Sequence, residues 1–280
     1  MVNMVRVAFQ GVEGAFSEDA VALFFQEVQT LPCPDFESVF RAVEQGDADY
    51  GMVPVENSLE GTVAAVNDLL LENDLIIVGE VLVPVVHCLM VNPGSDISRI
   101  RRVYSHPQAL GQCRTFLAKY PHWEKVPSFD TAGSARHVRD NGLLEEAAIA
   151  SCRAAKFYGL EVLREGVQNS EENFTRFFAI QKASRLLDKG DKTSLAFATR
   201  NVPGMLYEAM GAFASRGINM TKVESRPRKG RAWEYVFFVD IDGHVNDPKV
   251  AEALTDLVRR NVISSAEARG KAKIPENFPG

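Results

Sequence analysis

The chain has 280 residues, of which 46% are hydrophobic and 24% charged, and its formal net charge is −6. This composition is typical of a globular protein with one large domain or two to three ordinary ones. The negative charge argues against a nucleic-acid partner, because nucleic-acid-binding proteins carry dense positive patches.

In chain order, residues 4–180 alternate between strand and helix patterns, which predicts an α/β fold with largely parallel sheets. Strands are expected at 5–9, 50–55, 75–91, 102–104, 147–150, 161–163 and 176–180. Helices are expected at 17–28, 36–45, 59–72, 106–119, 134–141 and 153–158.

The longest apolar stretch, 75–91, contains Gly79, Glu80, Pro84 and His87. A membrane helix would not tolerate this combination, so we interpret the stretch as two buried strands joined at Pro84. It is expected to cross between two α/β lobes, and the chain near 163–180 is expected to return. A ligand would then bind in the cleft between the lobes.

The charged segment 182–192 is the predicted linker to a second domain. Beyond it we expect a strand at 193–199, a helix at 203–216, strands at 218–226 and 233–241, a helix at 248–260 and a strand at 262–268. This βαββαβ order is that of a ferredoxin-like domain.

The four cysteines are scattered without a Cys-x-x-Cys pair, which predicts reduced, mostly buried thiols rather than disulfides. The histidines show no zinc-ligand spacing. The loop 11–14 lacks a dinucleotide or phosphate-loop fingerprint. We therefore expect no metal, cofactor or membrane segment. The start of the chain lacks the apolar core of a signal peptide, so the expected location is the cytoplasm.

Polar residues cluster where three helices are expected to begin. Ser58 and Thr131 are candidate helix caps, and Ser105 with Gln108 matches a capping box. Gln112 lies on the same predicted helical face as Ser105 and Gln108. Helix capping alone would account for the polar residues at each of these three helix starts. Three helix starts that converge on one cleft would also bind an anionic substrate without many lysines.

The strand after Asn173 carries a further polar block. Strand alternation places Thr175 and Phe177 on one face and Arg176 on the other. Arg176 would pair either with a substrate carboxylate or with an internal acid such as Glu171. With no nucleophile triad or metal-ligand set in the sequence, these residues favour a reaction that needs hydrogen bonding and positioning rather than covalent catalysis.

Four ordered blocks, 11–17, 48–58, 105–110 and 173–177, resemble the successive signatures of the prephenate dehydratase family. Residues 204–206 and 224–227 resemble the two phenylalanine-binding motifs of its ACT regulatory domain, with Met205 where alanine is usual. The resemblance implies a two-lobed, periplasmic-binding-protein-like catalytic domain and a ferredoxin-like ACT domain. The expected bounds are 1–185, with lobes 1–80 plus 164–185 and 81–163, then 192–271 and a tail at 272–280.

The implied reaction converts prephenate to phenylpyruvate, carbon dioxide and water without a cofactor, on the route to phenylalanine. By resemblance, Thr175 donates to the departing hydroxyl, and Glu56 is the candidate acid. The other implied catalytic residues are Asn57, Ser105 and Gln112, and the implied substrate-binding residues are Ser58, Thr131, Arg176 and Phe177.

The resemblance also implies that phenylalanine binds between paired ACT domains and regulates the cleft, in a homodimer or dimer of dimers. The implied effector residues are Gly204, Met205, Leu206, Asn219, Glu224, Ser225 and Arg226. Two alternatives stay open. One is an arogenate dehydratase, which acts on the amino counterpart of prephenate, and the other is a non-catalytic amino-acid-binding sensor.

Overall fold

The computed structural model describes residues 4–183, 190–199, 201–227, 234–259 and 268–270. The chain divides into two compact units. Unit 1 contains Val81–Phe177 and the described residues up to Leu69, and unit 2 contains Leu70–Glu80 and the described residues from Phe178 on. Among the described helices, none has the length and hydrophobicity that a membrane crossing requires.

The described residues up to Lys182 form two sheets, and the strands β5 and β11 each carry residues of both units. The elements from the start of the chain are β1 (Arg6–Gln10), α1 (Phe16–Phe24), β2 (Gln29–Cys33), α2 (Phe36–Gln45), β3 (Tyr50–Asn57), β4 (Gly61–Thr62), α3 (Ala64–Glu72) and β5 (Leu75–Pro84). They continue with β6 (Cys88–Val91), β7 (Arg102–Ser105), α4 (Pro107–Gln112), α5 (Arg114–Leu117), β8 (Glu124–Pro127), α6 (Thr131–Asn141), β9 (Glu146–Ala150), α7 (Cys152–Tyr158), β10 (Glu161–Glu165) and β11 (Phe174–Lys182).

The strand order confirms the predicted crossing between lobes. The first sheet runs β2-β1-β3-β11-β5, with β4 on β3, and the second runs β10-β6-β9-β7-β8. The chain passes from β5 in the first sheet to β6 in the second just after Pro84, and returns from β10 to β11. The predicted parallel pairing holds for β1 with β2 and β3, but the second sheet is mixed because β6 is antiparallel to β9 and β10.

Three local predictions were wrong. Helix α3 begins at Ala64 rather than at residue 59, because Asn57 and Gly61 pair in a short hairpin first. The predicted helix 106–119 is broken at Cys113, whose backbone (φ −103°, ψ 14°) leaves the helical range and separates α4 from α5. Strands β2, β4 and β8 were not predicted.

Cys88 and Cys152 form a disulfide, which corrects the prediction of reduced thiols throughout. The bond joins the first residue of β6 to the first residue of α7. Cys33 and Cys113 are free and buried, as expected.

A close backbone approach fixes the β1–α1 loop against α7. Gly14 has φ +86°, and a Cβ on it would lie 2.6 Å from the Cα of Ala154. The Ser151 hydroxyl, which caps α7 by accepting from the Ala154 N–H, donates to the Gly14 carbonyl at 2.6 Å. Only glycine fits this position, because a side chain would meet both strain and a clash.

Unit 2 contains the predicted βαββαβ order, and this confirms the ferredoxin-like fold class. Its elements are β12 (Lys192–Ala198), α8 (Met205–Ala214), β13 (Met220–Pro227), β14 (Tyr235–Asp242), α9 (Pro248–Arg259) and β15 (Ala268–Gly270), with strand order β13-β14-β12-β15. The inward faces of the sheet and helices share a core that includes Phe197, Phe213 and Ile241. Residues 184–189 of the predicted linker, 262–267 of the last strand and the tail 272–280 lie outside the described residues.

Candidate active site

A cleft of about 520 Å³ in unit 1 is lined by residues from both lobes and from the crossing segment. The first lobe contributes Asn57, the crossing segment His87, and the second lobe His106. A neighbouring hollow of about 690 Å³ shares Gln112 with this cleft. These volumes are in the range of small-molecule sites.

Helix starts surround the cleft, but of the three predicted caps, Ser58, Ser105 and Thr131, only Thr131 stands at one of them. The lining includes the first residues of α1 and α6, Phe16 and Thr131, the residue before α3, Val63, and the N-cap of α4, His106. Unpaired N–H groups and the helix dipole make such ends attractive to anions. None of the described lining residues is lysine or arginine.

Asn57 is the centre of the polar network at the cleft. Its side-chain oxygen accepts the backbone N–H groups of Leu59 and Glu60 at 3.0 Å each, which fixes the orientation of the amide. Its nitrogen lies 2.8 Å from Asn173 Oδ1, 3.0 Å from Thr175 Oγ1 and 3.1 Å from the Phe174 carbonyl oxygen, so its two hydrogens serve three acceptors. Asn57 therefore both closes the turn after β3 and joins that strand to the start of β11.

The hydrogen bond from Asn57 to Thr175 leaves the threonine hydroxyl able to donate. Because the Thr175 hydroxyl accepts from Asn57, its own hydrogen remains available for donation to a ligand, and Thr175 lines the cleft. A hydroxyl held in this way is a preorganised hydrogen-bond donor.

Gln112 extends the network from the second lobe. Its side-chain oxygen lies 3.1 Å from Asn173 Nδ2 and 2.9 Å from His87 Nε2, and its nitrogen lies 3.4 Å from Glu60 Oε1. Asn57, Gln112 and Thr175, all singled out in the sequence, are thus brought together around Asn173.

The structure places Ser105 elsewhere. It is the last residue of β7, fully buried, and its hydroxyl donates to the Ile149 carbonyl at 2.6 Å. The predicted capping role of Ser105 was wrong, because His106 is the N-cap of α4 and its ring accepts from the Gln108 N–H. The Ser105 hydroxyl is committed to joining β7 to β9 rather than directed at the cleft.

Glu56 and Arg176 pair with each other. Their side chains lie 3.9 Å apart, so Arg176 meets an internal acid, although not the Glu171 named from the sequence. Glu56 precedes Asn57 on β3, so alternation directs it to the opposite face. The carboxylates that line the cleft are those of Glu60 and Asp130.

The remaining predicted substrate-binding residues have mixed positions. Thr131 lines the cleft, but the cap of α6 is Asp130, whose carboxylate accepts from the Gly133 N–H. Ser58 exchanges bonds with the segment before β11, donating to the Glu172 carbonyl and accepting from the Phe174 N–H. Phe177 is buried in the core.

The cleft also contains residues that the sequence reasoning missed. His87 is 2% exposed, and burial lowers its pKa, because removal from water disfavours the charged form, even though the bond to Gln112 opposes the shift. Glu60, which lines the cleft, and Asn173, which lines the neighbouring hollow, were likewise not named as site residues. The available signal for His87 was a histidine inside a mainly apolar crossing segment.

The predicted effector residues lie at the start of α8 and along β13. Gly204 is the N-cap of α8 with φ +88°, and a Cβ on it would meet no atom within 4 Å. Leu206 is 40% exposed, whereas Met205 packs against the core. Asn219 donates to Asp242, and Glu224 pairs with Lys222 on the strand that also carries Ser225 and Arg226.

The two-lobed α/β fold, the polar cleft and the ferredoxin-like unit define a small-molecule-binding protein with an appended regulatory-type module. The family model "Prephenate dehydratase" matches residues 7–185, and the model "ACT domain" matches residues 193–259. The chain belongs to the prephenate dehydratase family, which confirms the resemblance found in the sequence.

Among relatives, "Arogenate dehydratase 1" of Petunia hybrida is 41% identical over 91% of this chain. The chain spans 64% of that relative's length. The crystal structure of prephenate dehydratase from Arthrobacter aurescens in complex with L-Phe is 34% identical with a TM-score of 0.87, and the match covers 96% of this chain and 90% of that one. GqqA, described as a novel type of quorum quenching acylase, is 38% identical with a TM-score of 0.88, and the match covers 96% and 98%.

Proposed function

We propose that this chain is a prephenate dehydratase that converts prephenate to phenylpyruvate, carbon dioxide and water. The single observation that carries the proposal is the Thr175 hydroxyl, held by the Asn57 amide at 3.0 Å with its hydrogen available to the cleft. Such a donor stabilises the charge that develops on the hydroxyl as it departs from the ring.

The reaction couples two bond cleavages. The ring carboxylate leaves as carbon dioxide, the electrons of its bond enter the ring and expel the ring hydroxyl, and this hydroxyl takes a proton from solvent and leaves as water. Aromatisation of the ring favours both steps, so the protein has to position the substrate and donate a hydrogen bond. A preorganised hydrogen-bond donor of this kind contributes about 10²–10³-fold to a rate.

Helix starts in the lining are the proposed sites for the two substrate carboxylates. Val63, His106 and Thr131 stand at three such starts, and at two of them one N–H group is already bonded to the capping His106 or Asp130 side chain. Backbone N–H groups there bind anions without cationic side chains. This agrees with a lining that contains neither lysine nor arginine among its described residues.

Arogenate is the second candidate substrate. The cleft carries two carboxylates, those of Glu60 and Asp130, and the Gln112 amide lies 3.4 Å from Glu60. A carboxylate in that position would pair with the ammonium group that arogenate has in place of the keto group of prephenate. Removal of the Glu60 charge by Glu60→Gln should therefore weaken arogenate turnover more than prephenate turnover.

Phenylalanine is the proposed effector, bound at the start of α8 and along β13 in a homodimer or dimer of dimers. The match to the ACT model and the L-Phe bound to the Arthrobacter aurescens relative support this. The positive φ of Gly204 and the open space beside it leave the backbone accessible to a ligand. The cytoplasmic location remains a prediction.

The test is product formation by the purified chain. Prephenate and arogenate are supplied separately, with and without phenylalanine, and an N-acyl amide is included because of the GqqA relative. We expect phenylpyruvate from prephenate and suppression by phenylalanine. Cleavage of the N-acyl amide alone would replace the proposal with an acylase, and binding of amino acids without any turnover would replace it with a sensor.

A further inference from the structure

His87 lies at the point where the chain crosses from β5 to β6, where its backbone is hydrogen-bonded on both sides and its imidazole contacts Phe16 and Gln112. Its backbone N–H donates to Gln168 Oε1 at 2.9 Å, and its carbonyl accepts from the Val167 N–H at 3.0 Å. The Phe16 ring packs edge-on, with centroids 5.6 Å apart. The imidazole therefore has little freedom to rotate away from the cleft.

The contact with Gln112 defines the imidazole tautomer. Nε2 lies 2.9 Å from Gln112 Oε1, and an amide oxygen can only accept. Nε2 must therefore carry the hydrogen. Nδ1 is buried and meets no hydrogen-bond partner among the residues that the structure describes. A second hydrogen on Nδ1 would be buried without an acceptor, so the neutral Nε2–H form is the one that fits.

His87 in turn fixes the amide of Gln112. The Gln112 oxygen accepts from both His87 Nε2 and Asn173 Nδ2, so the nitrogen has to face the other way, towards Glu60. Without the His87 donor, a single bond to Asn173 would hold the oxygen. The Gln112 side chain would then be held by fewer hydrogen bonds and placed less precisely.

The orientations of the three amides agree with one another, and the Asn57 end is fixed by the backbone N–H groups of Leu59 and Glu60. Asn173 donates to Gln112, so its oxygen faces Asn57, and it accepts from Asn57 Nδ2 at 2.8 Å. The same Asn57 nitrogen donates to Thr175 Oγ1. The series therefore runs from His87 through three amides to the threonine hydroxyl, and His87 contributes its outermost donor.

We propose that His87 is a positioning residue which holds the Gln112 amide in the cleft, with its oxygen towards Asn173 and its nitrogen towards Glu60, in the place that turnover requires. The inference rests on the proposed function. It assigns His87 no contact with the reacting atoms, and it predicts an effect on turnover rather than on substrate affinity.

The test compares His87→Leu, which removes the donor, with His87→Gln, whose side-chain nitrogen can reach the position of Nε2. We expect His87→Leu to lower kcat by about 10- to 100-fold with little change in KM, as for a misplaced catalytic group. His87→Gln should restore most of the loss. His122→Leu, at an exposed histidine of the same unit, is the control and should leave kcat unchanged.

A double-mutant cycle locates the effect. In a Gln112→Leu background, His87→Leu should cost little further activity, because the route through Gln112 is already broken. Equal losses in both backgrounds would overturn the proposal, as would equal loss in His87→Leu and His87→Gln variants that circular dichroism shows to be folded.

The ¹⁵N chemical shifts of the His87 ring provide a readout that needs no substrate. We expect a protonated Nε2 and an unprotonated Nδ1 in the wild-type chain, and a protonated Nδ1 with a bare Nε2 would contradict the contact. If the wild-type chain turns over neither prephenate nor arogenate, the proposed function fails, and the tautomer measurement still decides whether His87 donates to Gln112.

Discussion

The motif residues of the cleft are hydrogen-bonded within unit 1, whereas those at the start of α8 in unit 2 are largely exposed. In the cleft, Asn57 bonds to Asn173 and Thr175, which lie 116 and 118 positions away in the chain. At the start of α8, by contrast, Gly204 has open space beside it and Tyr207 is 79% exposed. The cleft network is assembled within one chain, whereas the α8 start leaves its surface open to solvent.

Because of this difference, substitutions in the two regions should have different effects on turnover. Single substitutions in a preorganised network should lower turnover directly, because its hydrogen-bond donors already point towards the substrate position. A surface that remains open in one chain should respond only when the ligand or a second copy is present. Substitutions in unit 1 test whether its network is preorganised, and those at Asn57 should have the largest effect.

Asn57→Leu should cause the largest loss. It removes the donor to Thr175 and also the acceptor for the turn after β3, and we expect kcat to fall by about 10²–10³-fold or more. The matched control is Asn141→Leu, which removes an amide that donates to His137 and Glu146 away from the cleft. Steady-state kinetics of both variants measures kcat, and an equal loss of kcat in the two would show that Asn57 has no special role in turnover.

Gly14→Ala should destabilise unit 1 by about 2–4 kcal/mol, because the new Cβ would overlap Ala154 and the positive φ disfavours a side chain. Gly94 has the same φ of +86° but open space around it, so Gly94→Ala isolates the cost of the backbone conformation alone. Urea unfolding of the two variants measures the difference. Equal losses would show that α7 does not pack as closely on the β1–α1 loop as described.

Loss of the Cys88–Cys152 disulfide should lower the free energy of unfolding by about 2–4 kcal/mol, since the bond closes a loop between residues 64 apart. Cys152→Ser tests this, with Cys33→Ser as the control at a free thiol. Mass spectrometry of the alkylated, unreduced chain should find two free thiols. Four free thiols would restore the original sequence prediction.

Cys113 should produce the smallest effect, confined to alkaline pH. Burial raises the pKa of its thiol from the ordinary value of 9.0 to about 12. The unfolded chain loses this proton first, so the contribution of Cys113 to stability falls as the pH rises from about 9 towards 12. Cys113→Ala should make unfolding less sensitive to pH in that window, and an unchanged pH profile would show that the thiol is not buried in the way described.

Much of the fold could be predicted from the chain because its signals are local. The interruption at Pro84 marked the crossing between sheets, and the βαββαβ order of unit 2 followed from hydrophobic alternation and helix starts. The hairpin at Asn57–Gly61 was missed because β4 is only two residues long. A strand of that length leaves no periodic pattern to detect.

Only part of the candidate site could be predicted from the sequence. Asn57, Gln112 and Thr175 stand in polar blocks next to regular elements, which made them visible. Ser105 has the same local signature, but its hydroxyl donates to the carbonyl of Ile149 on a neighbouring strand. That contact depends on the tertiary structure and cannot be deduced from the local sequence. The Cys88–Cys152 pair escaped prediction for the same reason, because sequence spacing does not show which cysteines meet.

The most direct test of the account is the turnover of prephenate by Thr175→Val compared with Thr175→Ser. Valine keeps the shape of threonine without the hydroxyl, and serine keeps the hydroxyl that Asn57 holds. We predict that kcat falls by about 10²–10³-fold in the valine variant and stays within about tenfold of wild type in the serine variant. Near-normal turnover by a folded Thr175→Val enzyme would contradict the central claim that this hydroxyl donates to the leaving group.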